Sequence, residues 1–178
     1  NRVLKRKLAI VTPKPQTTRH RILGVESRGA TQFIFVDTPG MHDAQNLLGE
    51  RMIKVANQSL ADADVVLWVV DAEAGLKAED KKALPHLAAD KRPVVVALNK
   101  MDQIKRARLL PLLQELGEIV PDRHVVPVSA LTGENLEDLL DTIERVLPES
   151  PPLFPADFQT DLPEKFFVAE MVREQLLL

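Results

Sequence analysis

Several short polar segments carry side chains suited to one kind of chemistry, and three of them directly follow apolar stretches. Asn99-Lys100-Met101-Asp102 comes straight after Val94-Val95-Val96-Ala97-Leu98. Guanine presents two neighbouring donors, N1–H and the 2-amino group. One carboxylate accepts from both, and adenine has no matching pair, so Asp102 suits base selection. The Asn99 amide can bond the base N7 or tie neighbouring loops together, and the Lys100 stem can lie over the ring face. A site built on such polar bonds rejects a mismatched analogue by roughly 10⁴ or more. The competing reading is a polar loop that caps the next helix, and the apolar strand before the motif weighs against it.

Asp37-Thr38-Pro39-Gly40 ends the stretch Gln32–Val36. A carboxylate at a strand end can hold Mg²⁺ directly or through water. A glycine just beyond it lets a backbone N–H approach a phosphate without a Cβ in the way. Read alone, the same tetrapeptide is equally a strand ending in a Pro-Gly turn. Ser129-Ala130-Leu131 follows His124–Val128, one strand after the guanine motif. There the backbone N–H of Ala130 is placed to reach guanine O6, with Ser129 bracing the loop that holds Asp102. In Thr17-Thr18-Arg19 a threonine hydroxyl can ligate Mg²⁺ and sense a γ-phosphate; a plain polar loop is the alternative. His20, His42, His86 and His124 have no metal-ligand spacing. Asp71 also ends a strand, and is expected to cap the turn that follows.

These segments need a scaffold. In 178 residues, 45 % apolar and 28 % charged, there is room for a sizeable core: one domain plus part of another. The absence of cysteine excludes a disulfide framework and thiolate metal sites, which suits the cytoplasm. No apolar run approaches the roughly 20 residues of a membrane helix. There is no signal-peptide pattern, and without an initiator Met the start reads as truncated. Charge is uneven. Residues 1–28 hold Arg2, Lys5, Arg6, Lys7, Lys14, Arg19, Arg21 and Arg28 against Glu26 alone. Removing these from totals of 23 basic and 26 acidic residues leaves 15 and 25. A basic opening suggests phosphate or nucleic acid nearby, or simply a solvated surface.

Strands are expected at Arg21–Ser27, Gln32–Val36, Asp64–Val70, Pro93–Leu98 and His124–Val128, the first two joined by a hairpin turn at Arg28-Gly29-Ala30-Thr31. The last three are continuous apolar runs, as in strands buried on both faces of a parallel sheet. Helices are expected at Leu47–Leu60, Glu79–Ala89, Ile104–Ile119 and Asn135–Leu147. The third carries a stripe of Leu109, Leu112, Leu113 and Leu116, and tolerates Pro111 only by starting late or kinking. The fourth carries Leu136, Leu139, Leu140, Ile143 and Leu147, with Asn135 as N-cap. Alternating strands and helices make the fold class α/β, with ligands outside the carboxyl ends of the strands. Four prolines within residues 148–155 read as a stiff linker. Beyond it Pro163–Leu178 reads as an amphipathic helix, its apolar surface (Phe166, Phe167, Ala169, Met171, Val172, Leu176) more than it can cover alone.

In this order, Asp-Thr-Pro-Gly, Asn-Lys-Met-Asp and Ser-Ala resemble the translation-factor class of P-loop GTPases, and the details resemble the Era family. The resemblance is carried by Pro15-Gln16-Thr17-Thr18-Arg19-His20-Arg21-Ile22, Phe35–Gly40, Ala61–Val66, and Phe154-Pro155 through Phe166–Glu170. It implies a P-loop GTPase-type, mostly parallel sheet flanked by helices over residues 1–147. Residues 148–162 would be a Pro-rich linker, and 163–178 the first helix of a truncated KH domain. It also implies a GTP/GDP-binding, GTP-hydrolysing switch that binds 16S rRNA and assists 30S subunit maturation, cytoplasmic or peripheral on the inner face of the cell membrane. Catalytic roles fall to Thr18, Asp37 and Gly40. Nucleotide binding falls to Asp37, Thr38, Pro39, Gly40, Met41, Asn99, Lys100, Met101, Asp102, Ser129 and Ala130. Mg²⁺ would sit on Thr18 and, through water, on Asp37.

Two departures from the family pattern matter. No Gly-x-x-x-x-Gly-Lys-Ser/Thr phosphate loop occurs here, so Asn1–Leu4 corresponds to the tail of the helix after that loop. The chain as given is therefore expected to be inactive. No Gly-x-x-Gly of a KH clamp occurs either. Met41 stands where Ras-like enzymes place a water-orienting glutamine, and a K⁺ ion is the family's substitute. The alternatives are a tRNA-modification GTPase, disfavoured by the helix after the linker, and a non-hydrolysing pseudo-GTPase module.

Overall fold

The computed structural model describes residues 1–14, 17–38, 62–89, 91–120 and 124–178. The expected helix Leu47–Leu60, and the candidate site residues Pro39, Gly40 and Met41, lie outside them. Contacts divide the chain into two compact units, Asn1–Asp62 with Ser150–Leu178, and Ala63–Glu149.

The unit 63–149 is a parallel sheet with helices. Strands β3 (Val66–Asp71), β4 (Val94–Asn99) and β5 (His124–Pro127) lie side by side in the order β3-β4-β5. Helix α1 (Ala78–Ala88) joins the first pair, and α2 (Arg106–Ile119) the second. Helix α3 (Leu136–Glu144) follows β5. The central strand is the core, with Val94 to Leu98 all at most 2 % exposed. The expectation of burial on both faces holds for β4 and fails for β3, where Val69 is 58 % exposed, and for β5, where His124 is exposed and Val125 to Pro127 are half-buried. Among the described residues β3 and β5 each have one strand neighbour, and β4 has two. Helix α3 buries Leu136, Leu139, Leu140 and Ile143, as its spacing predicts. Helix α2 starts at Arg106, two residues later than expected, and continues through Pro111; Leu109, Leu112 and Leu113 are half-buried and Leu116 fully buried.

The other unit is built on an antiparallel hairpin, β1 (Ile22–Arg28) and β2 (Thr31–Asp37), paired from Ile22↔Asp37 to Arg28↔Thr31. The expected hairpin turn is present, with the strands reaching Arg28 and Thr31 so that Gly29-Ala30 forms a two-residue loop. Gly29 has φ +60° while Ala30 does not enter positive φ, the pattern of a type II′ turn, which favours glycine at its first central position. The hairpin buries Ile22, Leu23, Val25 and Phe33 with Leu4 and Ile10. The Pro-rich segment runs along it. The Val25 N–H donates to the Gln159 carbonyl at 2.9 Å, and the Gln32 amide bonds the backbone of Leu153 and Phe154. Helix α4 (Glu164–Leu177) ends the chain with an unusual division of its surface. Glu170 and Glu174 are buried, whereas Val168, Met171, Val172 and Leu176 are half or more exposed.

Candidate guanine-nucleotide site

In the unit 63–149, the chemistry-bearing residues cluster at the carboxyl ends of three parallel strands. Strand β4 ends at Asn99, in register with Asp71 at the end of β3. The next residue, Lys100, has φ 68° and ψ 31°, a left-handed conformation that turns the chain into a short 3₁₀ turn, Met101–Gln103. The Asn99 side chain crosses to the loop after β5, its Oδ1 accepting the Ala130 N–H at 2.9 Å. The backbone adds a second tie, Met101 N–H to the Val128 carbonyl at 3.1 Å. These bonds place Asn99, Lys100, Met101, Ser129 and Ala130 around one loop cluster. Asp102 is exposed and has no hydrogen bond among the described residues. Its carboxylate therefore retains its accepting capacity.

Three details differ from the sequence reading. The Ala130 N–H, expected to face guanine O6, is held by Asn99, so of the two roles open to Asn99 the loop tie is the one realised. Ser129 is fully buried and braces its own turn, its hydroxyl accepting the Thr132 N–H at 3.1 Å rather than bonding the loop of Asp102. Asn135 precedes α3 as expected but does not cap it. With φ 59° its side chain points back, and Nδ2 donates to the Pro127 carbonyl at 2.9 Å. A left-handed N-cap aims its side chain away from the first helical N–H groups, and asparagine tolerates that conformation.

Sequence reasoning also missed a partner. Asp71 does cap the turn after β3, its Oδ1 accepting from Glu73 and Ala74 N–H. Its Oδ2 in addition pairs with Lys100 Nζ at 2.7 Å. Burial works against the Asp71 carboxylate, but the bonds from Lys100 and the turn outweigh it and hold its pKa below the ordinary value. The same bond pushes the Lys100 ammonium above its own. The signal was present in the in-register strand ends, since two parallel strands finishing together place Asp71 beside the residue after Asn99.

In the other unit, Thr18 and Asp37 meet at the end of β2, the threonine hydroxyl donating to Asp37 Oδ2 at 3.1 Å. Burial pushes the Asp37 carboxyl above its ordinary value, and the bonds from Thr18 and the Thr38 N–H pull it part of the way back. Yet the side chain opens to solvent at the strand end, so an incoming cation has access. Two hard oxygen donors in contact are what Mg²⁺ uses when the rest of its shell is water and phosphate. Thr17 does something else, its hydroxyl bonding Thr12 and the Lys14 carbonyl. Among the described residues no cluster of three or more His, Cys, Asp or Glu side chains could hold a metal by itself. Nor is any helix among them long and apolar enough to cross a membrane.

Parallel α/β architecture with Asn-Lys-x-Asp and Ser-Ala loops at its carboxyl edge defines a class, the P-loop-type GTPase domain. Residues 1–100 match the family model described as 50S ribosome-binding GTPase. The protein named GTPase Era from Geotalea daltonii is 42 % identical over 99 % of this chain and 59 % of its own length. That of Pseudomonas fluorescens is 45 % identical over 99 % and 59 %. Two crystal structures superpose with TM-scores of 0.93, at 41 % identity over 98 % of this chain and 60 % of theirs. One is Era in complex with MgGDPNP and nucleotides 1506–1542 of 16S ribosomal RNA; the other is an Aquifex aeolicus Era variant bound to GDP·AlF₄⁻. The chain belongs to the family described as 50S ribosome-binding GTPase and is similar, over nearly its whole length, to Era GTPases. It spans about three-fifths of the length of the relatives it matches.

Proposed function

We propose that the protein carrying this chain is a GTP-binding and GTP-hydrolysing switch that binds the 3′ region of 16S rRNA and assists maturation of the 30S subunit. The observation that carries the nucleotide assignment is the loop cluster of Asn99–Asp102 and Ser129-Ala130, tied by the 2.9 Å bond from Ala130 N–H to Asn99 Oδ1. The rRNA assignment is supported by the Era relative solved with a 16S fragment and a GTP analogue.

Each residue has a derived task. Asp102, its carboxylate without a hydrogen bond among the described residues, accepts from guanine N1–H and the 2-amino group. The Lys100 stem covers one face of the ring. Asn99, with the Met101 N–H to Val128 carbonyl bond, holds the two loops at a fixed spacing, while Ser129 braces its own turn and the Ala130 N–H is taken up by Asn99. Thr18 and Asp37 would hold Mg²⁺, Asp37 through water, and the ion supplies charge neutralisation on the phosphate oxygens. On the family resemblance alone, Thr38, Pro39, Gly40 and Met41 would bind the phosphates. A thioether at Met41 cannot orient water, and on the family resemblance alone a K⁺ ion takes part in that function. In the same reading residues 1–147 form the GTPase domain, 148–162 the linker, and 163–178 the first helix of a KH domain. Membrane-peripheral association also rests on the resemblance only.

The test is nucleotide selectivity of the full-length gene product, by titration of GDP against ADP. A GDP preference of roughly 10³ or more is expected from a site that loses paired hydrogen bonds with the wrong base. Equal affinities would overturn the assignment.

A further inference from the structure

The contact between Asp71 and Lys100 has the form of a support rather than a surface ion pair. Asp71 is fixed before it meets the lysine. Its carbonyl accepts the Gly75 N–H at 3.0 Å, and its Oδ1 accepts two N–H groups of the same turn. The strand ends are joined as well, Ala72 N–H donating to the Asn99 carbonyl at 2.8 Å. Only Oδ2 is left facing out, and Lys100 Nζ lies 2.7 Å from it. At its other end Lys100 is held by a left-handed backbone, a strained conformation for a residue with a Cβ. The four-carbon stem is thus pinned at both ends. A free lysine stem samples many rotamers, and ordering it on ligand binding opposes association.

We propose that Asp71 is a positioning residue of the guanine site, pre-ordering the Lys100 stem that covers the base without itself touching nucleotide. The inference rests on the reading of Asn99–Asp102 as the guanine reader. It gives Asp71, outside every motif that named the site, a share in nucleotide affinity.

The test separates this role from turn capping. Asp71→Asn keeps an Oδ1 acceptor for Glu73 and Ala74 but turns an amide toward the lysine, so the pair is lost while the cap remains. Asp71→Glu keeps the charge. Lys100→Met keeps a stem of similar reach without the ammonium. In the full-length gene product, Asp71→Asn should weaken GDP binding about threefold, the size expected for a solvent-accessible ion pair. Asp71→Glu should recover most of that loss, and Asp71→Asn should have no further effect in a Lys100→Met background. Thermal melting of each variant reports folding separately. Unchanged affinity in Asp71→Asn, or the same loss with and without the lysine ammonium, would overturn the proposal. If the parent protein selects GDP over ADP and the two positions are uncoupled, only the role of Asp71 fails. If the parent does not select GDP, the guanine reading and this inference fail together.

Discussion

Two regions hold the residues expected to meet nucleotide, and they are built in opposite ways. The proposed guanine-reading loops run from the last residue of β4 to three residues beyond it, and two to three residues beyond β5, and short backbone ties such as Met101 N–H to Val128 fix them. The segment from Lys7 to His20, which contains Thr18, has no strand or helix among its described residues. Besides short-range bonds, it has supports more than 150 positions away in sequence. Glu174 accepts the Val11 N–H at 2.9 Å and pairs with Lys7, and Arg173 donates to the Thr17 carbonyl at 2.7 Å. One region inherits its shape from a sheet. The other is held by charged side chains on α4. On the proposed function, the difference suits one region that stays fixed and another that changes state, the general pattern of a GTP-dependent switch.

The comparison breaks most severely at the sheet. Leu98 is fully buried in the central strand. Leu98→Ala should cost about 2–5 kcal/mol, the range for deleting a buried leucine side chain, read as a lowered denaturation midpoint. A loss below about 1 kcal/mol would mean that β4 is not the rigid base assigned to it.

A smaller effect is expected in the hairpin. Gly29 has φ +60° and open space on its side-chain side, since nothing lies within 4 Å of an added Cβ. Gly29→Ala should therefore cost about 1 kcal/mol from backbone strain alone, measured in the same denaturation experiment. No loss would show that the turn can relax to a different type.

The smallest expected effect is local and pH-dependent. Hydrogen bonds from Lys7 and the Val11 N–H hold the Glu174 carboxyl below its ordinary value. A depressed carboxylate contributes stability above the unfolded value, about 4.3, and loses it as pH falls through the lower folded value. Hydrogen exchange at the Val11 amide should thus be slow near neutrality and should lose protection, relative to the intrinsic rate, only in acid below that point. Glu174→Gln should remove the acid dependence while keeping an acceptor for Val11. Protection that is independent of pH in the parent would detach α4 from this segment.

How much was legible follows the same division. Strand β4 and the stripe of α3 could be read because a continuous apolar run, and apolar residues at helical spacing, report burial directly. The motifs could be read because spacing from a strand end fixes position. Val69 could not, because an apolar run does not say whether its strand is flanked on both sides. The Asp71–Lys100 pair needed the register of β3 on β4, which no single segment encodes. Helix α4 was least legible. Its apolar residues were seen, but burial of Glu170 and Glu174 depends on Lys7, Val11 and an internal pair with Arg173, and no local pattern announces such partners.

The central claim is that Asp102 names the base. Its most direct test is the affinity of GDP and xanthosine diphosphate for the full-length gene product and its Asp102→Asn variant. The parent should prefer GDP. The variant should bind GDP about 10- to 100-fold more weakly, the loss of hydrogen bonds to a charged acceptor, and should gain affinity for the xanthine nucleotide, whose ring carries an acceptor where guanine carries the 2-amino donor. Unchanged GDP affinity in the variant, with no gain for the xanthine nucleotide, would contradict the account.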